Sequence, residues 1–188
     1  MFPLHDEATA PEASQSGLSA TRKNFGMIPN LERVMASAPQ LLQGYSCLWD
    51  LFEETTLTPI ERQVVYLTAN YENECDYCVP WHSLLAEEIG MPAAEIEALR
   101  EGADMHDVKL ETLRKFTRSL VANRGKISEA ERDAFFAAGY TAEHALEVVL
   151  GLAVKTMSNY TNSIAGTPLD KEVKKLAWHK PKIKMRVE

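Results

Sequence analysis

Pro80 decides where the helix carrying the least ordinary residues of this chain can begin. It lies in the stretch Glu74-Cys75-Asp76-Tyr77-Cys78-Val79-Pro80-Trp81-His82, which holds two of the three cysteines. A proline inside a helix loses a backbone hydrogen bond and collides with the preceding turn, at a cost of about 3 kcal/mol, but is tolerated in the first turn. Cys75 to Cys78 are therefore expected in the opening turn of a helix. Offsets of three, four and seven residues are close to whole turns, so Cys75, Cys78 and His82 are expected to share one face. Free N–H groups and the positive end of the dipole stabilise a thiolate at such a helix start. Two thiols and an imidazole in this arrangement can form a disulfide, activate a thiolate or hold a metal, and the spacing alone leaves all three open.

Helix punctuation runs through the rest of the chain. Thr58-Pro59-Ile60-Glu61 supplies an N-cap, a proline at the first helical position and a glutamate at the third, which is a capping box. Ile60, Val64, Leu67, Thr68 and Tyr71 follow at helical spacing until about Asn73, and beyond the cysteines Leu84, Leu85 and Ile89 extend an apolar face to Gly90. Upstream, Asn30 is expected to cap a short helix through Met35, and Pro39 to open one through Phe52. Cys47 in the latter reads as a small buried residue. Downstream, helices are expected over residues 92–100 and 108–121, then one with a second capping box at Ser128 and Glu131 that ends by Gly139. A long helix over residues 141–165 has two largely apolar faces, and Asp170 is placed to cap a last helix ending at Trp178. No strand-like alternation of any length occurs, so the expected fold class is all-α, a multi-helical bundle in a single domain. Residues 1–18, rich in Ala, Ser, Pro and Glu, are expected as a flexible arm, residues 19–178 as the helical domain, and residues 179–188 as a basic tail carrying Lys180, Lys182, Lys184 and Arg186.

With 188 residues, 45% apolar and 25% charged, the chain can bury a core of its own. A net charge of −7 offers no electrostatic footprint for nucleic acid. The apolar run over residues 145–157 is broken by Glu147 and Lys155, so no membrane span is expected. The opening MFPLHDEATAPEASQSG lacks the basic and apolar parts of a secretory leader, and three cysteines do not make a disulfide framework. A cytoplasmic location, without membrane or nucleic-acid partners, is the expectation.

The segment LTPIERQVVYLTANYENECDYCVPWH resembles the signature region of the AhpD-like alkylhydroperoxidases, within the carboxymuconolactone decarboxylase superfamily. That signature is a Leu-Thr/Ser-Pro helix start, an Asn or Gly before the first cysteine, and CxxC followed by xxxH. IPNLERVMASAPQLLQGYSCL resembles the upstream helices of the peroxidase-related branch, and NYTNSIAGTPLD its C-terminal helix and exit, so the resemblance covers residues 26–178. It implies an all-helical subunit that assembles into homo-oligomers and reduces hydroperoxides with a cysteine pair. An external dithiol, protein or lipoyl in type, would recycle the pair, without cofactor or metal. Carried over, Cys78 is the peroxide-attacking cysteine, Cys75 the resolving one, and His82 part of a proton relay. The family's relay usually begins with a glutamate twelve positions before the first cysteine, where this chain has Gln63. A carboxamide is neither acid nor base, which leaves Glu61, Glu72 or Glu74 to take over. Some members have a histidine just before the second cysteine, where this chain has Tyr77. A phenol there donates a hydrogen bond but is not ionised near neutral pH.

The chemistry stands on its own terms as well. A thiolate attacks the distal peroxide oxygen and becomes a sulfenic acid. An imidazolium at His82 would protonate the leaving alkoxide. A thiol one turn away then condenses with the sulfenic acid to a disulfide, and the more exposed cysteine, expected to be Cys75, takes the attack of the external dithiol. Plainer roles stand beside these. Glu61 fits the capping box, and Glu74 is a favourable first-turn acid whose charge would raise the Cys75 pKa. Tyr77 and Trp81 read as pocket walls. Asn159, Tyr160 and Asn162 line either the site or an interface, while His5, His106, His144 and His179 read as surface residues. Two rival functions remain: a metal site of Cys75, Cys78, His82 and one carboxylate, or a scaffold or decarboxylase-like enzyme with incidental cysteines. Structural zinc sites usually bring a second distant ligand pair, and the lactone-decarboxylase branch typically lacks the CxxC.

Overall fold

The computed structural model describes residues 2–181, so Lys182, Lys184 and Arg186 of the expected basic tail lie outside the described residues. The helices in chain order are α1 (Glu12–Phe25), α2 (Asn30–Met35), α3 (Pro39–Glu53), α4 (Pro59–Glu72), α5 (Cys78–Glu88), α6 (Ala93–Glu101), α7 (Val108–Ala122), α8 (Glu129–Ala137) and α9 (Ala142–Ala165), followed by a 3-10 helix, Lys171–Leu176. No strand occurs among the described residues, and the expected all-α class holds.

α4 is the centre of the bundle. Its capping box forms as expected: the Thr58 hydroxyl accepts from Glu61 N–H, and the Glu61 carboxylate accepts from Thr58 N–H at 2.8 Å. Every residue from Gln63 to Asn70 is buried, so the helix is enclosed on all sides rather than along the single stripe the sequence suggested. It packs against α3, α5, α6, α7 and α9. α9 comes close because Gly151 faces it; a Cβ there would stand 2.6 Å from Phe52 and 2.9 Å from Val65. The second expected capping box, Ser128 with Glu131, opens α8, and Thr141 with His144 forms a third at the start of α9.

The expected flexible arm is corrected. Its residues from Glu12 onward are the first half of α1, which ends at Gly26 in the left-handed conformation (φ 74°). Leu18 is fully buried, the Ser14 hydroxyl donates to the Ala36 carbonyl at 2.8 Å, and Gly17 lets α1 lie against Leu42 of α3. One large core residue and one buried hydroxyl are a thin apolar signal, although Glu12 at the start and Arg22 and Lys23 at the end match the helix dipole. Asn30 also departs from expectation: it is the first helical residue, its N–H donating to the Asp170 carboxylate at 3.2 Å. Cys47, expected to be buried, is exposed on α3. No described helix is long and apolar enough to cross a membrane.

Candidate active site

The chain between α4 and α5 presents the cysteines. The Asn70 carbonyl accepts from Cys75 N–H at 2.9 Å, and Glu74 turns the backbone at a φ of 53°. α5 starts at Cys78, with Pro80 in its first turn as the steric argument required. Cys75 lies just ahead of the helix, its carbonyl accepting from Val79 N–H at 3.1 Å and its sulfur from Cys78 N–H at 3.3 Å. Both cysteines are free thiols. Cys75 is 6% exposed and Cys78 2%, so Cys75 is the more exposed of the two as expected, although both sulfurs sit inside the bundle.

A polar seam on α9 faces them. Lys155, Ser158, Asn159 and Asn162 recur at helical spacing on the inward side, and all four are buried. Asn162 Nδ2 donates to the Cys78 sulfur at 3.3 Å and lies 3.9 Å from that of Cys75, while the Ser158 hydroxyl is 3.9 Å from Cys78. Asn159 Nδ2 donates to Asn70 Oδ1, and its own Oδ1 accepts from Asn73 Nδ2, each at 2.9 Å, which braces the turn before Cys75. Asn159 and Asn162 thus belong to the site, whereas Tyr160 points outward, 60% exposed. Burial pushes the Cys78 thiol up. The hydrogen bond with Cys75, the charge of Lys155 and the hydrogen bond with Ser158 outweigh it, and the net result is a pKa of about 6. Cys75 moves the other way, raised by its hydrogen bond to Cys78 and by burial. The two shifts are opposed, favouring the thiolate on Cys78 and the thiol on Cys75.

His82 is buried between the Trp49 and Tyr66 rings, with centroids 5.8 and 4.7 Å away. Its Nδ1 is 2.9 Å from Gln63 Oε1 and its Nε2 is 2.8 Å from Lys155 Nζ. Burial first, and the nearby Lys155 charge second, hold its pKa well below the ordinary value. The expected imidazolium is therefore corrected to a neutral imidazole. The carboxamide oxygen accepts the Nδ1 proton, which fixes the tautomer, and the Nε2 lone pair accepts from Lys155.

The other sequence candidates sit elsewhere or act differently. The Glu61 carboxylate is engaged by Thr58 and, at 3.0 Å, by Lys109; burial alone would raise its pKa, but these partners lower it. Glu72 pairs with Arg118 at 3.0 Å, and Glu74 meets Lys180 at 3.4 Å. The Tyr77 hydroxyl donates to Asp170 and accepts from Leu31 N–H, which ties α5 to α2; Trp81 Nε1 donates to the same carboxylate at 3.0 Å. No group of three or more His, Cys, Asp or Glu side chains among the described residues is arranged to hold a metal ion.

A cavity of about 40 Å³ adjoins Cys78, walled by Tyr45, Trp49, His82, Lys155 and Glu32, among others. Two of these were missed by sequence reasoning. Lys155 read only as an interruption of an apolar run, and Glu32 as an unremarked acid in a short helix. Yet Glu32 is buried, its Oε2 has no hydrogen-bond partner, and burial raises its pKa to about 8. A charged residue on the inward face of a long apolar helix was the available signal for Lys155. Nothing comparable marks Glu32.

Residues 45–118 match the sequence profile of the carboxymuconolactone decarboxylase family. Among solved structures, the chain is similar to the AhpD core of an uncharacterized peroxidase-related protein from Ralstonia eutropha JMP134, at 19% identity and a TM-score of 0.80, covering 92% of this chain and 93% of that one. It is also similar to an uncharacterized peroxidase-related protein from Silicibacter sp. TM1040, at 19% identity, a TM-score of 0.76 and coverage of 92% and 91%. A third similar structure is the debrominase Bmp8, a cysteine-to-alanine variant in complex with 2,3,4-tribromopyrrole, at 14% identity, a TM-score of 0.77 and coverage of 93% and 94%. No curated protein matches the sequence. At these identities the likenesses establish the fold.

Proposed function

We propose, from the premise that this chain is an AhpD-like protein of the carboxymuconolactone decarboxylase superfamily, that it reduces hydroperoxides through a Cys75–Cys78 dithiol–disulfide cycle. The observation that carries the reading is the geometry of the two buried thiols: the Cys75 sulfur accepts from Cys78 N–H at 3.3 Å, and Cys78 in turn receives Asn162 Nδ2 at 3.3 Å and faces Ser158 on α9, a setting that favours the thiolate on Cys78 rather than on Cys75. Cys78 is the nucleophile, and its sulfur is oxidised to a sulfenic acid as the O–O bond breaks. Cys75 then attacks that sulfur, and a disulfide and water form. His82, oriented by Gln63, positions Lys155, and the Lys155 charge favours the thiolate. In this reading Gln63 does not replace the family's glutamate as an acid; it holds the imidazole. Glu61 and Tyr77 act through the fold, as a cap and a tie. An external dithiol, protein or lipoyl in type, restores the pair.

The metal alternative is disfavoured by the donors themselves. Gln63 occupies Nδ1 of His82, and a lysine amine stands on Nε2, where a cation would have to bind.

A thiol count on the reduced protein, before and after one equivalent of an alkyl hydroperoxide, tests the function. Loss of two thiols, mapped by mass to a Cys75–Cys78 link, is the expected outcome. Thiols that survive the peroxide would remove the reading.

The expected homo-oligomer finds support on the outer face of α9. Leu146, Val149, Tyr160 and Ile164 are 71, 52, 60 and 70% exposed, and at helical spacing they fall within about 60° of arc. A stripe of this kind on a long helix fits a second copy of the same chain. Leu146→Glu is expected to shift the protein toward monomer in analytical ultracentrifugation; an unchanged sedimentation profile would discard the α9 interface.

A further inference from the structure

The peroxide chemistry leaves one proton unassigned. When Cys78 attacks the distal oxygen, the departing oxygen leaves as an alkoxide, a strong base that needs a proton in the transition state. His82 is neutral with its Nδ1 proton held by Gln63, and Cys75 is hydrogen-bonded to Cys78. We infer that Glu32 on α2 is the acid that protonates the leaving oxygen, an inference that rests on the peroxide-reducing reading above.

The placement argues for it. Glu32 walls the small cavity at Cys78 and also an outer groove of about 560 Å³ between α1 and α3, and the two spaces share Phe25, Tyr45 and Trp49 as well. In an attack in line with the O–O bond, the leaving oxygen points away from sulfur, toward the cavity wall, and its organic substituent extends toward the open side. Glu32 is the carboxyl group common to both spaces. Its Oε2 is buried without a partner, which is costly for a structural carboxyl and useful for one that must reach a transient oxygen. The charged and titratable groups around it are Tyr45 on α3, Tyr77, Cys78 and His82 at the start of α5, Lys155 on α9, and Asp170 before the 3-10 helix. Burial raises both tyrosines and lowers His82. Cys78 near 6 and Glu32 near 8 are thus ordered so that thiolate and carboxylic acid coexist between those values.

The protons then balance. The Cys78 thiolate forms an S–O bond, the O–O bond breaks, and Glu32 gives its proton to the alkoxide to release an alcohol. The Cys75 thiol condenses with the sulfenic acid, losing water. The external dithiol gives up two electrons and two protons, one of which returns to Cys75. The other, arriving on Cys78, passes to the Glu32 carboxylate and restores the resting state.

Two oxidants separate this role from a structural one. Reduced wild-type and Glu32→Gln proteins are mixed with tert-butyl hydroperoxide or with peracetic acid, whose leaving acetate needs no proton, and Cys78 oxidation is followed per thiolate. Glu32→Gln is expected to lose about 100-fold or more with the alkyl hydroperoxide and to keep most of its rate with the peracid. The wild-type alkyl hydroperoxide rate should fall above about pH 8, and the variant should lack that alkaline limb. Glu32→Asp, which retains an acid, should retain a limb. Equal loss with both oxidants, an unchanged alkyl hydroperoxide rate, or a limb missing from Glu32→Asp would overturn the role of Glu32 while leaving the peroxidase standing. A wild-type protein inert to both oxidants would instead overturn the peroxidase reading itself.

Discussion

Lys155→Met is expected to raise the Cys78 ionisation midpoint from about 6 by roughly one to three pH units, the range for loss of an adjacent opposite charge. Burial opposes a Cys78 thiolate, and the Lys155 charge is, after the Cys75 hydrogen bond, the strongest influence against burial. Methionine is close to lysine in length and fills the same space, so packing changes little while the charge disappears. The sign follows directly. In the wild type the thiolate is present above the lowered midpoint and lost as pH falls through about 6. In the variant it is largely absent at neutral pH, and peroxide oxidation keeps rising through the alkaline range.

The readout is the pH dependence of iodoacetamide alkylation, followed on the Cys78 peptide by mass so that exposed Cys47 does not contribute. At neutral pH the alkylation rate should fall about 10- to 100-fold, in line with the thiolate fraction. Lys155→Arg provides the control. It keeps the charge, but a guanidinium fork fits poorly on the single Nε2 lone pair of His82, so the midpoint should move less than in the methionine variant. A midpoint that stays near 6 in Lys155→Met would show that the hydrogen bonds of Cys75, Ser158 and Asn162 suffice without the lysine.

How far this site could be read from sequence depends on what each residue does locally. The capping boxes at Thr58 and Ser128 were legible because both partners lie within one turn. Pro80 placed the start of α5 to within a turn on steric grounds, although the helix opens at Cys78 and Cys75, expected in its first turn, lies just ahead of it. α1 was not legible, since its place depends on Leu18, Ser14 and Gly17 meeting elements far along the chain. The same misreading concealed the outer groove, one wall of which is α1.

The site divides in the same way. Cys75, Cys78 and His82 announce themselves by residue type and spacing. Gln63 looked like a defect in the relay while it was compared with a glutamate, and only the packing of α4 on α5 shows it holding His82 Nδ1. Lys155 and Glu32 are ordinary residues in sequence, and burial alone makes them unusual. A lysine that is 1% exposed and a glutamate that is 7% exposed are costly unless their charge states are used. Chemistry carried by residue type could be read from the chain, whereas chemistry created by desolvation required the fold.

Cys78→Ser and Cys75→Ser should fail in different ways. Cys78→Ser removes the sulfur whose pKa is lowered toward neutral, and turnover with any hydroperoxide should vanish; the remaining Cys75 is buried, and burial disfavours its thiolate. Cys75→Ser should leave a Cys78 that still reacts once. Its single oxidation should keep much of its rate, because the serine hydroxyl replaces the Cys75 thiol as hydrogen-bond donor to the Cys78 sulfur. With no thiol beside it, the sulfenic acid should persist long enough to be trapped by dimedone, and excess peroxide should drive it on to the sulfinic acid. Steady-state turnover with a dithiol would fall sharply, since a reductant would have to reach a sulfur that is almost wholly enclosed. In the proposed cycle the closeness of the pair, with Cys78 N–H 3.3 Å from the Cys75 sulfur, would let internal condensation outrun both trapping and over-oxidation in the wild type. A dimedone adduct at Cys78 in Cys75→Ser, absent from Cys78→Ser, fixes the order of the two sulfurs. An adduct on Cys75 in Cys78→Ser would reverse that order, and equal residual activity in both variants would take the cysteines out of the chemistry.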